Sequence, residues 1–154
     1  MIRRMVVFGL LLASCAAGPA GPPTGPGPVL DVLLGDRRTT LPRAELVARA
    51  ALAPDQDVRV VEIGRDAHTS HHVVGIRSGE PLHRHERHDL IVVVLEGHGR
   101  MRLGDTTRPV GQGSVVYTPR GAVHAFTNAG ERPAYAHVVY SPPYDGEDRV
   151  LVGE

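Results

Sequence analysis

From Val58 onward the chain is a succession of short runs rich in Val, Ile, Thr and Tyr, broken at close intervals by Gly, Pro or Asp. Such runs read as strands, because β-branched side chains suit a pleated sheet and the breakers supply turns. Strands are predicted near 58–63, 70–77, 82–86, 90–95, 99–103, 107–110, 114–118, 122–127 and 134–141. With no helix between them they cannot form a parallel sheet, so the chain must build an antiparallel sandwich or barrel. Phe8 and Phe126 are the only phenylalanines and tryptophan is absent, so the core has to be aliphatic. Cys15 is the sole cysteine, which excludes an internal disulfide.

Before the strand region the pattern differs. Val29 to Leu34 could be an edge strand, and residues 42–52, PRAELVARAAL, predict the one helix, with Leu46, Val47 and Ala50 on one stripe and Pro54 after its end. The 154 residues suffice for a single core. All 17 basic residues are arginine against 17 acidic ones, spread without long runs, so no nucleic-acid surface is expected.

The first residues, MIRRMVVFGLLLASC, combine Arg3 and Arg4 with an apolar stretch too short to cross a bilayer. Leu12-Ala13-Ser14-Cys15 resembles the lipobox of bacterial lipoproteins. That resemblance implies a signal peptide over 1–14, lipidation of Cys15 and attachment to the membrane in the cell envelope, periplasm-facing or on the outer membrane in a Gram-negative cell. Residues 15–28, the cysteine and AAGPAGPPTGPGP, carry five prolines and nothing to bury, and read as a tether for a domain over 29–154.

His83 and His85 are two apart, so on a strand both imidazoles point to one side. His124 lies on a late strand. Imidazole donors suit zinc, iron or copper. Around these residues the chain resembles the cupin family. The second cupin motif reads Gly113-SVVYT-Pro119-Arg120-Gly121-AV-His124-AFT-Asn128, matched throughout. The first is looser: His83-Arg84-His85 supplies its histidine pair and Leu95-Glu96-Gly97 its terminal glycine, with fifteen residues between Gly97 and Gly113. The resemblance covers about residues 70–141. It implies an all-β, jelly-roll β-barrel with one short N-terminal helix, a divalent metal held by His83, His85 and His124, and a homodimer.

One position departs from the motif. The usual glutamate ligand is replaced by Leu90, with His88 and Asp89 beside it as candidate fourth ligands. Gly113, Pro119 and Gly121 should shape the turn that aims His124 inward, and Asn128 should tie the turn after it. By alternation Leu90, Val92 and Val94 share a face, and Phe126 shares one with His124; together they outline a mostly apolar pocket for a small organic molecule. Acid–base candidates are His71, His72, His88 and Tyr117, whereas His98, in the turn Gly97-His98-Gly99, should be solvated. The functional expectation is a metal-dependent enzyme of dioxygenase, hydrolase or isomerase type; the alternative is a non-enzymatic metal or ligand-binding module of the envelope.

Overall fold

The computed structural model describes residues 29–153. The leader, Cys15 and the tether lie outside the described residues. A hairpin comes first: β1 (Val29–Leu34) and β2 (Arg37–Pro42) pair antiparallel around Gly35-Asp36. The edge strand is therefore half of a two-stranded ribbon whose second half had no strand signature. Helix α1 (Arg43–Arg49) is shorter than the predicted 42–52. Pro42 is extended (φ −65°, ψ 149°) and ends β2 instead of opening the helix, while Ala50 caps it at the other end.

Ten further strands follow: β3 (Val58–Arg65), β4 (Ser70–Ile76), β5 (His83–Arg84), β6 (Asp89–Glu96), β7 (His98–Leu103), β8 (Thr106–Gly111), β9 (Val115–Thr118), β10 (His124–Asn128), β11 (Ala134–Ser141) and β12 (Val150–Leu151). They form two five-stranded sheets, ordered β12-β5-β10-β7-β8 and β3-β4-β11-β6-β9. All pairings are antiparallel. Non-consecutive neighbours such as β4 and β11 arise because strands cross between the sheets, giving the expected jelly roll.

Alternation along β4 and β11 decides which side chains enter the barrel. Val74, Ile76, Leu90, Met101, Phe126, Val138 and Tyr140 make the interior cluster. The opposite face of the same sheet presents Val73, which packs with Leu41, Leu46 and Ala50 from the hairpin and helix in a second cluster. The helix comes so close that a side chain at Gly75 would meet the Ala50 carbonyl at 2.5 Å. The N-terminal ribbon and α1 therefore cover one end of a sheet face that would otherwise be wet, while Ile91, Val115 and Tyr117 elsewhere on β6 and β9 stay exposed.

Candidate metal centre

Register brings the three histidines together. β5 and β10 pair at one position, His83 opposite His124, so residues 41 apart in sequence become cross-strand neighbours. His85 follows β5 immediately. The turn between β9 and β10 holds it there: Gly121 N donates to the His85 carbonyl at 2.6 Å, and Ala122 N to Pro119 O at 3.0 Å. Gly121 takes φ +79°, the left-handed region that the motif reserves for glycine. Asn128 closes the far end of β10 by donating to the carbonyls of Arg77 and Arg132 and accepting from Gly130 N.

All three rings are buried, at 2–4% exposure. One ligand nitrogen from each lies within 4.8 Å of the other two. The Nδ1 of His83 donates to Pro81 O at 2.8 Å and that of His124 to Ala122 O at 3.0 Å. Both neutral rings thus present an Nε2 lone pair, the arrangement in which backbone carbonyls fix a metal-ligating imidazole. His85 Nδ1 is buried with no hydrogen-bond partner. With two rings fixed in the ligating tautomer and one nitrogen from each of the three converging, the donor set fits a metal ion.

Electrostatics agree. Burial first, and the neighbouring His124 second, push His83 down to about 3 and His85 down to about 4. His124 is lowered by burial, against the opposing effect of the bond it donates to Ala122 O. At neutral pH the cluster is uncharged and its lone pairs are free. Protons therefore compete for these nitrogens only below the ordinary histidine value of about 6.5.

The trio lies on the wall of a cavity of about 330 Å³. Leu90, Val92, Val94 and Phe126 line it, with Val74, Ile76, Met101 and Val138. Neither candidate fourth ligand joins the trio. Asp89 turns outward to Arg120, accepting from its backbone N and Nη2, both at 2.8 Å. His88 is buried, but its Nδ1 donates to Asp148 at 2.5 Å and its Nε2 faces Pro143 O at 3.2 Å.

The acid–base candidates separate too. Tyr117 is 57% exposed on the outer face. His71 also lies on that face, stacked on His137 with ring centroids 5.2 Å apart. His72 points inward, faces Ser70 Oγ at 2.9 Å and meets Tyr140 and Tyr144 edge-on. His98 is exposed, as expected.

Polar lining residues that the sequence did not single out include Glu80, Tyr140, Tyr144 and Arg149. Tyr144 and Arg149 come from the segment after β11, and Tyr144 stacks on Tyr140 at 4.7 Å. The Glu80 carboxylate lies 3.8 Å from His83 Nε2 and 3.9 Å from Arg149 Nη2. Burial raises its pKa, opposed by Arg149.

Residues 67–140 match the family model described as a cupin domain. The chain belongs to the cupin family. This cupin is 32% identical over 97 residues to an uncharacterized protein of Aquifex aeolicus, an alignment spanning 63% of this chain and 79% of the relative. Among solved structures it resembles an uncharacterized conserved protein with a double-stranded β-helix domain from Klebsiella pneumoniae (15% identity, 70% of this chain and 95% of that one, TM-score 0.60). It also resembles Pac13 of Streptomyces, described as a unique nucleoside dehydratase (17% identity, 62% and 78%, TM-score 0.53). At these identities the structural likeness shows the cupin fold alone.

Proposed function

We propose that this cupin binds one divalent metal through His83, His85 and His124 and acts on a small organic molecule held in the adjoining cavity. The observation that carries the reading is the convergence of three buried, neutral imidazoles on the wall of an apolar chamber. Three imidazole donors suit zinc, copper or iron. Such an ion supplies a Lewis acid and, for iron or copper, a redox centre.

The chain's own residues do the rest. Val74, Leu90, Val92 and Phe126 exclude water and favour an apolar substrate body. Pro81 O and Ala122 O hold the His83 and His124 rings in the ligating tautomer. Tyr140 and Tyr144 border the same space with hydroxyls that burial keeps protonated, and so able to donate to a substrate oxygen. That a nucleoside dehydratase uses a related fold supports small-molecule chemistry in such a barrel. The apolar wall here favours a less polar substrate.

The Leu12-Ala13-Ser14-Cys15 sequence supports placing the domain at the cell envelope on a lipidated Cys15. Cys15→Ala protein is expected to leave the membrane fraction; retention to the same extent would remove the anchor from the proposal.

Metal analysis of the full chain tests the site. Zinc or copper uptake near one equivalent is expected, and His83→Ala, His85→Ala and His124→Ala should each weaken it sharply, whereas His98→Ala should not. Uptake indifferent to all three substitutions would reject the centre. Metal uptake without turnover of any small organic molecule would favour the binding-module alternative.

A further inference from the structure

Leu90 stands where the family motif carries its acidic ligand, and Asp89 is committed to Arg120. Yet the fold delivers a carboxylate to the histidines from another direction. Glu80 sits in the connection between β4 and β5, three residues before His83, and its backbone is pinned by the bond from Glu80 N to Phe126 O at 2.8 Å. Its side chain is 22% exposed and borders the cavity. Among the described residues its carboxylate has no hydrogen-bond donor, and its only close cation is Arg149 at 3.9 Å.

The contact with His83 is the informative one. The His83 Nδ1 hydrogen is spent on Pro81 O, so Nε2 is a lone pair. Glu80 Oε2 approaches that same nitrogen at 3.8 Å. Glu80 therefore lies against the His83 member of the group that the three ring nitrogens form. Glu80 finds no hydrogen-bond donor among the described residues, so its charged form needs a cation close by. A cation held by the three rings would give the Glu80 carboxylate a counter-charge beside His83.

Taking the three histidines as metal ligands, we propose that Glu80 is the acidic ligand of the centre, replacing the carboxylate that position 90 has lost. The site is then three imidazoles and one carboxylate, with one negative charge. A hard oxygen donor improves the standing of iron(II) and manganese(II) relative to an all-imidazole set. Arg149, on the C-terminal segment, is the counter-charge that Glu80 keeps when no metal is present. Its own positive charge opposes metal entry.

Cobalt(II) titration of the metal-free full chain, followed by visible absorption, tests this. Glu80→Gln is expected to raise the cobalt Kd about 10–100-fold and to change the d–d bands, because an oxygen donor is lost. Glu80→Asp, which keeps the charge on a shorter stem, should fall between the two and serves if the Gln form fails to fold. Arg149→Gln should bind cobalt as well as or better than the parent. A Glu80→Gln protein with parental Kd and spectrum overturns the assignment while leaving the histidine centre intact, provided His83→Ala still abolishes binding. Equal weakening by Glu80→Gln and Arg149→Gln also overturns it, since the pair would then matter only as an ion pair. If the parent chain takes up no cobalt, the histidine centre itself falls and Glu80's role with it.

Discussion

His83 and His124 illustrate how little separates a structural histidine from a ligand. Each is buried, each donates Nδ1 to a carbonyl two residues back, and each keeps a free Nε2. What makes them a candidate centre is mutual approach, with ring centroids 4.2 Å apart. At the same scale Leu46 shows what anchors the helix. It is 1% exposed and packs with Leu41, Ala50 and Val73. Leu46→Ala should cost about 2–5 kcal/mol, read from the urea midpoint, and should leave metal binding unchanged because that cluster lies on the outer side of the sheet. Lost metal binding in a folded Leu46→Ala protein would contradict the separation of the two clusters.

The C-terminal segment is the element on which the site most depends. It returns across the barrel after β11, pairs β12 with β5, the strand that carries His83, and brings Tyr144 and Arg149 to the cavity. Asp148 fastens it, accepting from the backbone N of Glu86 (2.9 Å) and Arg87 (2.8 Å) and from His88 Nδ1 (2.5 Å). Burial alone would raise the Asp148 carboxyl, but these bonds, the one from His88 foremost, hold it down at about 2. An ionised carboxylate with three donors is a strong tie. Asp148→Asn removes the charge and gives up an acceptor, so a loss of about 1.5–3 kcal/mol is expected. Hydrogen exchange should rise first at residues 142–152. Unchanged protection there would mean that β12 alone holds the segment.

At the scale of the molecule, buried histidines make stability depend on pH. His83 lies at about 3, His85 at about 4 and His137, on the outer face, at about 4, each lowered chiefly by burial. In the unfolded chain all three take up protons near 6.5. Between about pH 6.5 and 4 the unfolded form thus binds more protons, and stability of the metal-free protein falls as pH drops. Its Tm should decline across that window and level off near neutrality; a Tm constant from pH 7 to 4 would contradict the burial. The barrel itself was legible in the sequence, because alternating valines separated by turn residues have few ways to hide their apolar faces, and the nine strands from Val58 to Ser141 lie close to where that pattern puts them. The histidine trio was legible because one motif carries two members and the other the third. The ribbon partner Arg37–Pro42 was not, since its polar, arginine-rich strand is held by pairing with β1. Nor were Glu80, Tyr144 and Arg149. No local spacing links them to the histidines, and they meet the cavity only because sheet closure and the returning C-terminal segment bring distant backbone to one place. Local sequence determined which strands could form and which way their side chains alternate, since both depend on near neighbours. The tertiary fold decided which charges face the histidine cluster, because that is a matter of contacts between residues far apart in the chain.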